Sequence, residues 1–312
     1  MNFFSMKLKD IGKELLKSEK NFVDYCEENY SSQIDEVVMG IIRKINKQNN
    51  HITVVLLAGP SCSGKTTSSN IIMERLEVHG IDTHTLSLDD FILDERTLPV
   101  LEDGRVDFES VNTLDIPFIK RVFDELDKDH RADVPVYNFK RRRRETELRH
   151  IDMTKSGCLI VEGLHAINPL LTEGLDPDIF VKLFFSLEGE IKGEKRTLSN
   201  LDIRLVRRLV RDFKFRNATF NFTMHLWAGV VEGENLYVYP FKKDADFVIN
   251  TFLPYEVGAI KDEFLTILEN SEIEVKYQEK LNMLRDFFEP VPSVGRNLIR
   301  KDSILIEFLG KS

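Results

Sequence analysis

Residues Gly59-Pro60-Ser61-Cys62-Ser63-Gly64-Lys65-Thr66, followed by Thr67, carry the spacing G-x-x-x-x-G-K-[ST]. Glycines at those two positions permit a tight turn whose backbone N–H groups converge on phosphate oxygens. A helix starting at the lysine adds its positive N-terminal end. The expected chemistry is that of a bound nucleoside triphosphate. The turn from Gly59 through Ser61, Cys62, Ser63 and Gly64 to Thr67 cradles the phosphates, Lys65 reaches the terminal ones, and the Thr66 hydroxyl ligates Mg2+.

Carboxylates stand where such a turn needs them. Ligands of open parallel sheets sit beyond the carboxyl ends of the strands. The stretch LSLDDF places Asp89 and Asp90 just after one apolar run, and CLIVEG ends another at Glu162. A carboxylate beside Mg2+ and a transferable phosphate can hold the metal or accept a proton from an attacking hydroxyl. Asp89 and Glu162 are the candidates, with Asp90 a neighbour. In DIRLVRRLVRDFKFR, Arg204, Arg207, Arg208 and Arg211 recur at i, i+3, i+4 and i+7, on one helical face. Few acids within the segment are placed to pair with them. The stripe is therefore expected on a lid helix that brings cations over the transferring group. The run KRRRR at 140–144 could be a nucleic-acid patch or a nuclear address, but acids follow at Glu145 and Glu147 and no aromatic platform surrounds it beyond Tyr137 and Phe139, which favours a solvated loop.

These groups need a frame. ITVVLLA at 52–58 is short, β-branched and apolar on both faces, as a buried parallel strand is. Residues 65–79 follow as a helix, with Gly80 as a stop. Further strands are expected at 83–88, 158–163, 178–185 and 244–250. Helices are expected at 115–127 and 203–215, and over most of 255–285. Alternating strands and helices imply a parallel sheet covered on both faces. Residues 1–50 read as helical, from Leu8, Ile11, Leu15 and Leu16 and again from Ile34, Val37, Val38, Ile41, Ile42 and Ile45. The tail from Glu289 reads as an irregular wrap ending in a short apolar element.

Composition sets outer bounds. The chain has 312 residues and a formal net charge of −9. That charge disfavours nonspecific binding to nucleic acid or to acidic membranes. Cys26, Cys62 and Cys158 are widely separated and build neither a disulfide framework nor a zinc site. A cytoplasmic location is expected, and no apolar run is long enough to span a membrane.

With these residues in place, the sequence resembles the uridine kinase/phosphoribulokinase family of P-loop kinases. It is similar in particular to bacterial uridine kinase-like proteins with an extra N-terminal region. The matching stretches are AGPSCSGKTT, SLDDF, DGRVDFES, PVYNFK, LIVEGLHAINP, DIRLVRRLVRDFKFRNAT, KKDADFVIN and the terminal DSILIEFLG. The resemblance implies an α/β P-loop NTPase/kinase fold, mostly parallel, with a helical N-terminal extension and a lid. Residues 1–50 would form the extension, 51–275 the kinase core with its lid near 200–235, and 276–312 a helix end and tail packed on the core. It implies transfer of phosphate from ATP, with Mg2+, to the 5′-hydroxyl of uridine or cytidine. Asp89 matches the catalytic base, and Thr66, Asp89 and Glu162 match the magnesium environment. Glu109 sits where an aspartate lies near the ribose hydroxyls, and Tyr137 matches a tyrosine against the nucleoside. Arg204 and Arg207 match arginines of the substrate and phosphate side, and Arg211 and Arg216 lie in the lid.

Some positions depart from the pattern. Arg142 stands in the region of a base-reading histidine, Ile92 replaces a tyrosine, and Asn217 replaces a lid glycine. Base specificity is therefore open. A kinase of the same fold acting on a phosphorylated sugar or a pantothenate-like acceptor is the alternative, and a silent nucleotide-binding regulator a third reading. The apolar N-terminal helices offer a contact surface for a homo-oligomer.

Overall fold

The structure is a computed structural model that describes residues 5–47, 51–100, 107–138, 141 and 143–310. In chain order the elements begin with strand β1 (Ser5–Lys7) and helix α1 (Leu8–Ile45). The first βα unit is β2 (Thr53–Ala58) and α2 (Lys65–Val78), followed by β3 (Thr83–Ser87) and α3 (Ile116–Asp129). Short strands β4 (Arg131–Val134), β5 (Tyr137–Asn138), β6 (Arg143–Arg144) and β7 (Arg149–Asp152) lead to β8 (Cys158–Glu162) and β9 (Phe180–Ser186). Then come β10 (Glu190–Lys192), β11 (Thr197–Leu198), α4 (Asn200–Arg216), α5 (Phe220–Tyr237) and β12 (Phe247–Asn250). The chain closes with α6 (Glu256–Glu269), α7 (Val275–Phe288) and α8 (Ile306–Leu309).

The central sheet is parallel, in the order β12-β9-β2-β8-β3. Its middle strand β2 is buried along its whole length. Val55 and Leu57 face one apolar cluster, shared with α1, α2, α4, α6 and α7. Val54, Leu56 and Ala58 face the other, shared with α3, β4 and β7. Packing on both sides explains the unbroken apolar run. Register sets Glu162 of β8 level with Leu57 of β2 and Ser87 of β3, so three strand ends meet at one rim. This is the P-loop kinase arrangement, an α/β core with a helical N-terminal extension.

Several expectations need refining. The N-terminal helical region is one 38-residue element bent at Ser18, whose φ of −165° and ψ of 97° break the helix. It is preceded by β1, which pairs with β10 and was too short for any periodicity to show. Residues 255–285 divide into α6 and α7, separated by a turn at 270–274. The stripe helix α4 is not a loose lid. From Asp202 to Asp212 every residue is buried except Arg208, which is half-buried. Its start is fixed by a capping box between Ser199 and Asp202. Among the described residues, no helix is long and apolar enough to cross a membrane. Arg142 and residues 103–106 of the DGRVDFES stretch lie outside the described residues.

Candidate active site

The turn after β2 is shaped by what surrounds it. A Cβ at Gly59 would lie 2.1 Å from the Phe185 carbonyl oxygen of β9, so only glycine fits. Cys62 (φ 59°) and Gly64 (φ 85°) both adopt the left-handed conformation. Alternating handedness of this kind turns successive N–H groups toward one side. Helix α2 then starts at Lys65, and its first N–H groups have no intrahelical acceptor. The Lys65 ammonium donates to the carbonyls of Gly59 (2.8 Å) and Pro60 (3.0 Å).

The turn opens on a cleft of about 230 Å³. Of the residues expected from the sequence, Ser61, Cys62, Gly64, Lys65, Thr66, Asp89, Glu109, Glu162, Arg211 and Arg216 line it. Ser63 is buried beneath the loop, and Thr67 continues into α2. Asp89 follows β3 on a short 3-10 turn that Ser87 caps through the Asp89 N–H (3.4 Å). Asp89 is solvent-exposed in the cleft, so the burial that shifts it is the crowding of protein around the cleft and not loss of contact with water. Burial raises its pKa, against the pull of Lys65 and Arg216. Burial likewise raises Glu162, opposed by Lys65, while the Asp89 charge adds to the rise. The Ser87 hydroxyl donates to Glu162 Oε1 at 2.9 Å. Glu109 packs against Gly233 of α5, where a Cβ would lie 2.3 Å from the Glu109 Cβ. Burial pushes its carboxyl up to about 7, with Arg208 opposing.

Thr66, Asp89 and Glu162 offer hard oxygen donors. Among the described residues, no three His, Cys, Asp or Glu side chains converge closely enough to hold a metal on their own. Hard oxygen donors are the kind that Mg2+ takes.

Three expected residues, Arg204, Arg207 and Tyr137, stand elsewhere. Arg204 is 1% exposed and pairs with Glu234 of α5, at 3.0 Å and 2.7 Å, instead of lining the cleft. Its NH1 also donates to the Ser61 carbonyl at 3.1 Å. Arg207 is fully buried and pairs with Glu256 of α6 at 2.6 Å and 3.0 Å. It donates to the Cys62 carbonyl (3.1 Å) and the Thr251 carbonyl (2.9 Å) as well. The expectation of an unpaired stripe fails because Glu234 and Glu256 reach Arg204 and Arg207 from other helices, while Asp212 of α4 itself pairs with Arg208 and Arg211. Arg204 and Arg207 brace the phosphate turn from behind, and Arg208 and Arg211 reach the front. Arg208 donates to the Ser61 hydroxyl at 2.9 Å. Tyr137 does not line the cleft either. Its N–H donates to Asp90 Oδ1 at 3.0 Å, which ties the β5–β6 hairpin to the turn carrying Asp89.

Sequence reasoning passed over Glu234, whose Oε1 also accepts the Ser61 N–H at 2.6 Å, and Glu256. No local spacing links either to its arginine. It also passed over Glu307, a cleft-lining carboxylate from the C-terminal segment. The DSILIEFLG stretch was the only signal that could have pointed there.

The chain is similar to several known proteins. Residues 54–189 match the model of the Phosphoribulokinase / Uridine kinase family. A uridine kinase of Staphylococcus haemolyticus is 29% identical over 199 residues, covering 63% of this chain and 86% of the relative. A uridine kinase of Staphylococcus epidermidis is 28% identical over 202 residues, covering 64% and 88%. Among solved structures, one described as a possible uridine kinase from Bacillus stearothermophilus has a TM-score of 0.46 at 17% identity, covering 70% of this chain and 98% of that one.

Proposed function

We propose that this chain, a member of the phosphoribulokinase/uridine kinase family, transfers the terminal phosphoryl group of ATP to the 5′-hydroxyl of a pyrimidine nucleoside. The observation that carries the reading is the meeting of Lys65, Thr66, Asp89 and Glu162 in one cleft with Arg208, Arg211 and Arg216. The α2 N-terminus and Lys65 hold the triphosphate. Asp89 accepts the proton of the acceptor hydroxyl, whose oxygen forms the new bond to the terminal phosphorus. The bond from that phosphorus to the bridging oxygen breaks, and ADP departs. The arginines face the charge spread over the transferring oxygens. Thr66, Asp89 and Glu162 would hold Mg2+, which neutralises charge on the terminal phosphates when bound. The raised pKa of Asp89 suits a proton acceptor better than an ordinary surface carboxylate would.

One observation favours a second acceptor class. The lining of the cleft contains no aromatic side chain among the described residues, so no ring is in place there to stack on a base. A small polyol or another hydroxyl compound would need none. ADP release measured with and without a panel of acceptors separates the two. Stimulation by uridine or cytidine is expected under the first reading. Stimulation only by sugars or pantothenate-like compounds would replace it with the second. Tight ATP binding without stimulation by any acceptor would refute both.

A further inference from the structure

The C-terminal segment lies beyond residues 54–189, which the family model matches, yet it reaches the phosphate turn. Six contacts fix its path. The Tyr255 hydroxyl meets the Ser303 hydroxyl at 3.3 Å. Ile304 packs on the turn's second glycine, where a Cβ at Gly64 would lie 3.3 Å from it. The Phe308 ring centroid lies 5.2 Å from the guanidinium carbon of Arg207, the arginine that holds the Cys62 carbonyl. The Leu309 carbonyl accepts from Lys214 Nζ and from Arg296 NH2, both at 2.8 Å. The Gly310 carbonyl accepts from Arg296 NH2 at 2.7 Å.

This bracing delivers Glu307 to the cleft beside Thr66, Glu162 and Arg211. Its Oε1 stands 3.9 Å from Arg211 NH1, an ion pair too long for a hydrogen bond. Arg211 spends its Nε and NH2 on Asp212 Oδ1, at 2.9 Å and 2.7 Å. The other carboxylate oxygen, Glu307 Oε2, is buried and has no hydrogen-bond partner among the described residues. A buried polar atom without a partner is uncommon and calls for an explanation. An ionised carboxylate only accepts, so the missing partner must be a donor. Phosphate oxygens at neutral pH provide none. Mg·ATP carries donors on the adenine amino group, the ribose hydroxyls and the water molecules on the metal, and the last two lie nearest the phosphate turn, with which Glu307 shares the cleft. The Arg211 charge beside it offsets the repulsion that a bare carboxylate would exert on a triphosphate.

We propose that the segment Ser303–Gly310 forms a wall of the nucleotide site and that Glu307 Oε2 accepts a hydrogen bond from bound Mg·ATP. The inference rests on the nucleotide reading above, not on the identity of the acceptor. Titration calorimetry without any acceptor tests it, on the full chain and on Glu307→Ala and Glu307→Gln, with thermal melts to confirm folding. The wild type is expected to bind Mg·ATP. Glu307→Ala should bind it about tenfold or more weaker, the worth of a hydrogen bond to an ionised group, and Glu307→Gln, which keeps an acceptor oxygen without the charge, should fall between it and the wild type.

Two further arms identify the donor. If it is a ribose hydroxyl, the wild type loses a similar factor with 2′-deoxy- or 3′-deoxy-ATP, and Glu307→Ala no longer distinguishes these from ATP. If it is a metal-bound water, the deoxynucleotides bind the wild type like ATP, and Glu307→Ala shifts the Mg2+ dependence to higher concentration. An unchanged Kd in both folded variants would overturn the proposal. So would weakening accompanied by neither signature, since Glu307 would then act only through Arg211. A wild type that does not bind Mg·ATP would overturn the nucleotide reading itself, and this inference with it.

Discussion

Replacing Arg204 by methionine separates an anchoring arginine from a catalytic one. The guanidinium is 1% exposed, makes a two-bond pair with Glu234 and donates to the Ser61 carbonyl. Methionine leaves the Glu234 carboxylate buried without its countercharge, and breaking a buried pair from one side costs about 3–5 kcal/mol. Unfolding entropy near 2.1 cal/mol/K per residue gives about 0.65 kcal/mol/K for 312 residues. The expected fall in Tm is therefore about 5–8 °C, read by differential scanning calorimetry. Because Glu234 also accepts the Ser61 N–H, the phosphate turn should loosen and the KM for ATP should rise with the loss of stability. In the double variant Arg204→Met, Glu234→Met, the lone charge is gone and much of the Tm should return, since apolar replacement of a buried pair is often neutral or better. If Arg204→Met melts within about 1 °C of the wild type while kcat falls a hundredfold or more, Arg204 acts on the reacting groups and the anchoring role is wrong.

Other perturbations probe the remaining parts. Asp89→Asn should lower kcat by at least about 10²-fold, the low end of general-base contributions, with the Kd for ATP largely kept; near-normal turnover would remove Asp89 as proton acceptor. Glu109 is held at about 7 in the folded chain against 4.5 for the free group. Between those values the folded state keeps a proton that the unfolded state has lost, so this group's contribution to stability falls as pH rises from about 4.5 to about 7. Glu109→Gln should flatten that decline and raise the Tm above pH 7, and parallel Tm–pH curves for the two proteins would contradict the shift. Tyr30→Phe removes the 2.5 Å hydroxyl contact with Ser68 that ties α1 to α2. It should cost about 1 kcal/mol in urea unfolding, and no loss would show that this contact does not couple the N-terminal helix to the core.

The parts legible in the sequence are those whose cause is local. β2, its turn and α2 follow one another along the chain, so apolar run, glycines and lysine spell out a strand, a bend and a helix start. Asp89 and Glu162 are legible because strand ends in a parallel sheet share one rim, and the register of β3, β2 and β8 places them there. Partners distant in the chain were not legible. Arg204 and Glu234 are 30 positions apart, and Arg207 and Glu256 are 49. Helical spacing shows which arginines share a face but not what that face meets. A stripe of charge therefore looked like a mobile cationic surface when most of it is a set of buried ties. β1 escaped notice because three residues carry no period, although it pairs with β10 through Ser5, Met6 and Lys7. Glu307 escaped because its role depends on where the tail returns, which only the packed chain decides.

The division of labour along α4 follows from what a phosphate turn must do. Backbone amides stabilise charge in a transition state only if they are already aimed, since reorienting them would consume the gain. A turn containing two residues in the left-handed conformation, Cys62 and Gly64, does not hold such a shape unaided. Here its outer carbonyls are held by Arg204 at Ser61 and by Arg207 at Cys62. The Ser61 N–H is held by Glu234, and the first glycine is backed by the Phe185 carbonyl. Behind α2, Ser68 meets Tyr30 of α1, and Arg75 reaches the Ser31 carbonyl at 3.0 Å. Buried ion pairs are seldom the most stable way to fill such space. Their directional hydrogen bonds offer what apolar packing lacks, a fixed placement for each carbonyl of the turn. The N-terminal helix and the arginines at the start of α4 thus serve one end, a rigid turn, which leaves Arg208, Arg211 and Arg216 to line the cleft where the proposed triphosphate would lie.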